Sequence, residues 1–342
     1  MSRTDFGLYL EQVQSGKTLS VDEAGRAFDA IMSGRVAEDD LADFLITLAK
    51  RGSTVDEIVG AARVMRANMI ALDAPDGAID LCGTGGDGHG TFNISTATAF
   101  VVAACGVPVA KHGNRSASSR AGTADVLEIL GVKIDMEPRA AETMLRETNF
   151  CFLFAPHYHK AMKHVAAVRK QLGIRTIFNL LGPLSNPAGV KRQLMGVFAP
   201  DWVEPLAHVL KELGTEKAWL VHGADGLDEL TTTAATHVAI LDAGKISRRE
   251  ATPEEIGLPR VPLAAIKGGE AVDNAAALQR LLNGERGAFR DIVVLNAAAA
   301  LIVADKAKDL KAGAQRAAEA IDDGAAKDVL ARVAALSRKA AA

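Results

Sequence analysis

Five glycines crowd into residues 83–90: Gly83, Gly85, Gly86, Gly88 and Gly90. An ordinary turn from strand to helix needs one or two. A glycine turn whose backbone N–H groups converge ahead of a helix N-terminus makes a nest for phosphate oxygens, and Thr91, Ser95 and Thr96 add hydroxyl donors. Gly83, Gly85 and Gly88 also satisfy the literal pattern G-x-G-x-x-G, so a dinucleotide-binding dehydrogenase must be weighed. Against it, Asp87 would face the pyrophosphate, where its charge needs a cation to offset it. Lys111, His112 and Arg115 stand where such a fold would put an acid on the ribose. A dinucleotide with a 2'-phosphate could still use that cluster. A nucleotide P-loop is excluded more firmly, because His89 stands at its lysine position.

A second group of donors, Lys111, His112, Gly113, Asn114, Arg115, Ser116, Ser118 and Ser119, follows the next apolar run and precedes a helix opening near Gly122. In a parallel sheet the C-terminal ends of neighbouring strands face one crevice, so two such loops can grip one polyanion. Asp228 and Glu229 follow a further apolar run. Adjacent carboxylates suit magnesium bridged to substrate phosphates, although exposed acidic pairs are common. Arg169 lies in a helical run over 160–172, ahead of a loop over 179–187. Its planar fork suits a carboxylate, yet taken alone it reads as a surface arginine. His157, His159 and His164 have no metal spacing and read as structural or pocket-lining.

The elements that must position these residues fall into two groups. Ser20 with Glu23 and Thr54 with Glu57 are capping boxes, each followed by apolar residues at helical spacing. Another helical run spans 39–50 and stops at Gly52. No strand signal precedes residue 75, so residues 1–75 read as a small all-helical domain, joined near 74–77 to an α/β domain over 76–342. There, apolar runs at 79–82, 107–110 and 151–154 alternate with helices over 95–105 and 123–130, as a mostly parallel, doubly covered sheet requires. Runs at 219–222 and 238–241 continue it. An alanine-rich helical tail begins at 271, with breaks at Gly284, Gly287 and Gly324.

Composition bounds the partners. Of 342 residues, 39 are Lys or Arg and 42 Asp or Glu, a formal charge of -3 with no block of one sign. That removes the electrostatic reason to expect nucleic acid or a membrane surface. Apolar stretches at 96–110 and 292–304 are short or broken by Pro108 and Asn296, and no apolar signal core opens the chain. Cys82, Cys105 and Cys151 are odd in number and set in apolar runs, so buried free thiols in a cytoplasmic protein are expected.

Four ordered motifs together carry a resemblance. Gly83-Thr84-Gly85-Gly86-Asp87 with Asn93-Ile94-Ser95-Thr96 is the first. Lys111-His112-Gly113-Asn114-Arg115 through Ser118-Ser119 and Gly122-Thr123-Ala124-Asp125 is the second. Asn179-Leu180-Leu181-Gly182-Pro183-Leu184 with Asn186-Pro187 is the third, and Asp228-Glu229 the last. Over essentially the whole chain they resemble anthranilate phosphoribosyltransferase. The resemblance implies the second committed step of tryptophan biosynthesis: the amine of anthranilate attacks C1 of phosphoribosyl pyrophosphate and magnesium pyrophosphate leaves.

Carried over by position, Gly83, Gly86, Asp87, Thr91, Asn93, Ile94, Ser95, Thr96, Lys111, His112, Gly113, Asn114, Arg115, Ser116, Ala117, Ser118, Ser119 and Thr123 would surround the donor. Ser95, Asp228 and Glu229 would hold Mg2+, while Gly83, Asn114 and Arg169 would meet anthranilate. The family fold, similar to that of the nucleoside phosphorylases, implies a helical domain completed by helices near 165–190 and a homodimer through that domain. Lys160 departs from the proline frequent there in relatives, which bears on the acceptor channel. A pyrimidine nucleoside phosphorylase is the nearest enzyme competitor. Lys111 to Arg115, the acidic pair and the short chain favour the transferase.

Overall fold

The computed structural model describes residues 3–115 and 120–340. Ser116, Ala117, Ser118 and Ser119, expected at the donor, lie outside the described residues. Four helices come first: α1 (Arg3–Gln14), α2 (Val21–Met32), α3 (Glu38–Arg51) and α4 (Val55–Ala67). Both expected capping boxes form at α2 and α4; each cap contributes about 1 kcal/mol. Glu57 does more than cap. Fully buried, its carboxylate accepts the N–H groups of Leu19 and Thr54 and pairs with Arg51, tying the starts of α2 and α4 to the end of α3. α2 and α4 cross so closely that a Cβ at Gly60 would lie 2.4 Å from the Val21 carbonyl oxygen.

The α/β part then follows: β1 (Ile79–Gly83), α5 (Ile94–Ala104), β2 (Val109–Gly113), α6 (Thr123–Ile129), α7 (Pro138–Thr148), β3 (Phe150–Phe154), α8 (Ala155–Tyr158), α9 (Lys163–Leu172) and α10 (Phe178–Leu181). After these come β4 (Arg192–Gly196), α11 (Val203–Glu212), β5 (Lys217–Gly223), β6 (Thr236–Asp242) and β7 (Lys245–Ala251). Four helices close the chain: α12 (Ala271–Leu282), α13 (Ala288–Val303), α14 (Leu310–Asp322) and α15 (Ala325–Ala340). The seven strands form one sheet in the order β3-β2-β1-β4-β5-β6-β7. β1 to β5 pair in parallel, whereas β5, β6 and β7 form an antiparallel meander.

Several elements are absent from the expectation. α7 and α11 are amphipathic, burying Ala141, Met144 and Leu145 and Val203, Leu206 and Leu210, so the sequence does carry their signal, whereas β4 and β7 are short or charged. β7 (KISRREA) is a mostly exposed edge strand whose charges hide it, as edge strands commonly do. The run expected at 107–110 begins and ends later, at Val109–Gly113, because its parallel ladder with β3 continues to Gly113. Lys111 and His112, expected in the loop after this run, are therefore buried strand residues. Of the thiols, Cys82 and Cys151 are buried and Cys105 is half-buried.

Alternation along β4 to β6 feeds two cores. Leu194, Trp219, Val221 and Val238 face the layer built from α5 and α12 to α15. Met195, Val197, Ala218, Leu220, Ala239 and Leu241 face α11 and share their cluster with the apolar residues of α1 to α4, α9 and α10. α9 packs on α2 and α3, and α10 packs on α4. Arg66 of α4 donates to the carbonyls of Leu184 (2.7 Å) and Leu213 (3.1 Å), fastening the helical layer to the sheet layer. No described helix is long and apolar enough to cross a membrane.

Candidate active site

The strand order reverses between β1 and β4, and a crevice opens at the C-terminal ends of a parallel sheet at such a switch point. Here it is a cavity of about 760 Å³. One wall holds the loop after β1, the end of β2, and Asp228 with Glu229. The other holds Met65, His159, Met162, Arg169 and Phe178 from the helical layer.

Gly85, Gly86, Gly88 and Gly90 all have positive φ, so the glycine crowding answers a backbone that other residues rarely adopt. Gly83 serves a different need. A Cβ there would lie 2.7 Å from Asp228 Oδ2, and one at Gly196, the last residue of β4, would lie 1.7 Å from the Asp228 carbonyl oxygen. The loop after β5 thus crosses the bare end of β4 to reach β1, and Gly85 N–H donates to Asp228 Oδ2 at 2.9 Å.

Lys111, 2% exposed, points from β2 into this junction. Its ammonium donates to the Leu81 carbonyl and to Ser95 Oγ at 3.1 Å. Burial pulls its pKa down, against the pull of Asp80, Cys82, Glu229 and Asp228. Asp228 rises to about 7, through burial and then the charge of Asp87. Glu229 rises to about 8 through burial and then Asp228. Three carboxylates crowded with one buried lysine are short of positive charge, and that donor set fits a hard divalent cation. Among the described residues no three His, Cys, Asp or Glu side chains form a metal cage. Magnesium needs none, since it keeps several waters and takes substrate phosphates as ligands.

Most other expected residues line the same cavity: Gly83, Gly86, Asp87, Thr91, Asn93, Ile94, Ser95, His112, Gly113, Asn114, Arg115, Thr123 and Arg169. Thr96 does not. It is fully buried, and its hydroxyl bonds to Thr123 Oγ1 at 3.0 Å. Asn93 lines the wall but has its side chain engaged, donating to the Ala121 carbonyl and accepting from Asn274. Arg115 is exposed, with its fork held by Asp125 and Glu128. Arg169 stands across the cavity, half-buried, its guanidinium 5.5 Å from the Phe178 ring centroid. No ion pair engages it among the described residues.

Sequence reasoning missed Arg175, which reaches from the segment between α9 and α10 to the Gly86 carbonyl and stacks 4.3 Å from the Phe198 centroid. It carries no local signal, because its contact depends on a lobe brought in from elsewhere in the chain. His159, expected as structural or pocket-lining, lines the cavity with its ring 5.1 Å from that of His112. Gly196 could have been noticed as a glycine ending an apolar run.

A sheet crevice in which two donor loops and an acidic pair meet defines a group-transfer enzyme of the phosphate-gripping α/β kind. Residues 75–327 match the glycosyl transferase family, a/b domain, and residues 8–69 match its helical bundle domain. The chain belongs to the anthranilate phosphoribosyltransferase family. It is 58% identical to the Azospirillum brasilense member over 96% of this chain and 92% of that one. It is 56% identical to the Parvibaculum lavamentivorans member over 97% of each. The crystal structure of the Thermus thermophilus enzyme superposes with a TM-score of 0.91 at 44% identity, covering 96% of this chain and 99% of that one. The Saccharomyces cerevisiae enzyme in complex with PRPP and Mg gives 0.91 at 26% identity, covering 99% of each.

Proposed function

We infer that the chain transfers the phosphoribosyl group of phosphoribosyl pyrophosphate to the amine of anthranilate, giving N-(5-phosphoribosyl)anthranilate and pyrophosphate in tryptophan biosynthesis. The observation that carries this is the junction of the β1 loop, Lys111 and the Asp228 loop in one crevice, with Arg169 facing it across the cavity.

The glycine loop and the end of β2, continuing through Ser116, Ala117, Ser118 and Ser119, take the donor's phosphates. Ser95, Asp228 and Glu229 would hold Mg2+, which when bound neutralises charge on the departing pyrophosphate. Lys111 places a fixed ammonium beside that same group, where low local polarity strengthens it. Asn114 and Arg169 orient anthranilate, Arg169 through the carboxylate, and Gly83 meets both anthranilate and the donor. The amine nitrogen bonds to C1 as the bond from C1 to the pyrophosphate oxygen breaks. The nitrogen's extra proton passes to water, because an aromatic amine is a weak base. No side chain is assigned as general acid or base, and Asp87 organises ribose or magnesium. Alignment of the two substrates supplies much of the remaining rate.

The division into a helical domain of residues 1–75, completed by 165–190, and a catalytic domain of 76–342 belongs to the same reading. So do a homodimer through the helical domain, a cytoplasmic location, and independence of nucleic acid and membrane. Purified protein with magnesium should consume anthranilate fluorescence only when phosphoribosyl pyrophosphate is present. Absence of that loss, or turnover of thymidine with phosphate instead, overturns the assignment.

A further inference from the structure

One polar side chain interrupts the apolar run from Ile292 to Val303 in α13, and it is fully buried. Asn296 Nδ2 donates to the Leu230 carbonyl and to the Ile292 carbonyl, each at 2.8 Å. Its Oδ1 accepts the Leu230 N–H at 3.0 Å. An asparagine in a helix interior forms helix less readily than leucine, and its amide is costly to bury unless every hydrogen bond is made. Here the amide meets both backbone groups of Leu230, as a neighbouring strand would.

Leu230 directly follows Glu229. Leu227 and Leu230, both fully buried, plug the loop into the core on either side of the acidic pair. Within the loop, Gly223 N–H donates to the Leu227 carbonyl at 2.8 Å, and Asp225 accepts the hydroxyls of Thr231 (2.7 Å) and Thr233, just beyond Leu230. At the Leu230 end, both backbone groups of the leucine are bonded to Asn296, from another element. The amide pins the loop backbone at Leu230, and the two buried leucines, which a slip would pull from the core, set the register that it holds. A slip by one residue would carry Asp228 off its contact with Gly85 N–H.

Resting on the magnesium reading above, we propose that Asn296 is a positioning residue that holds Asp228 and Glu229 in register for the metal, although it touches neither substrate nor ion. Binding of pyrophosphate, followed by calorimetry over a range of MgCl2 concentrations, reads this without turnover. For N296A, the magnesium giving half-maximal pyrophosphate binding should rise tenfold or more, with the KM for anthranilate within twofold of the parent. N296D, of equal size and keeping the acceptor for Leu230 N–H, should shift it less. Loss of thermal stability with an unchanged magnesium requirement in both variants overturns the proposal. So does failure of both to fold, since the side chain would then serve the core and not the loop. If the parent protein binds pyrophosphate without regard to magnesium, the reading of the metal site itself fails instead.

Discussion

Gly85 N–H donates to Asp228 Oδ2 across 2.9 Å, joining two loops that lie 143 residues apart in the chain. The contact exists because β1 and β4 both end in glycine where the Asp228 loop lies over them. It sets one jaw of the proposed pyrophosphate site against the other. The consequences of that closeness can be measured.

Gly196→Ala should be poorly tolerated. Its Cβ would lie 1.7 Å from the Asp228 carbonyl oxygen, a backbone atom that cannot swing away. We expect a loss of about 2–3 kcal/mol in chemical denaturation, typical of overpacking, together with loss of most activity. Unchanged stability would mean that the acidic loop is not seated on β4.

Arg175→Met should act on the donor side alone. The arginine bonds to the Gly86 carbonyl and stacks on Phe198, so it steadies the glycine loop from the helical lobe. A KM for phosphoribosyl pyrophosphate raised about tenfold corresponds to roughly one charge-assisted hydrogen bond. The anthranilate KM should change less than threefold, and an equal rise in both would refute a donor-side role.

Arg169→Ala should raise the anthranilate KM on the order of a hundredfold. Arg169→Lys should recover only part of this, because an ammonium cannot reproduce two parallel bonds to a carboxylate. Steady-state kinetics at saturating donor decide it. An unchanged KM removes Arg169 from the acceptor site.

Acid should unfold the protein through the two adjacent buried histidines, His112 and His159. Burial lowers His112 to about 3, with further opposition from His159, and burial lowers His159 to about 4. Both lie below the unfolded value near 6.5, so between these limits the unfolded chain binds more protons. Stability therefore falls as pH drops from about 6.5 toward 4, by about 2 kcal/mol for each ring at pH 5. Thermal melts of the parent and of His159→Gln at pH 7 and pH 5 should show a smaller acid loss in the variant. Equal losses would place the acid sensitivity elsewhere.

What the sequence by itself determined is local. Capping boxes, the glycine loop and apolar periodicity depend on residues a few positions apart, so α2, α4, β1, β3 and the phosphate loop were legible, as were the four motifs that mark the family. Tertiary structure decided whatever needs a partner far along the chain. It buried Lys111 by extending β2 against β3, withdrew Thr96 to bond with Thr123, and turned the β5 to β7 strands antiparallel. It also gave Arg175 and Asn296 their work. Side chains acquire such roles only from burial and from the neighbours that packing supplies, and neither quantity is written in spacing.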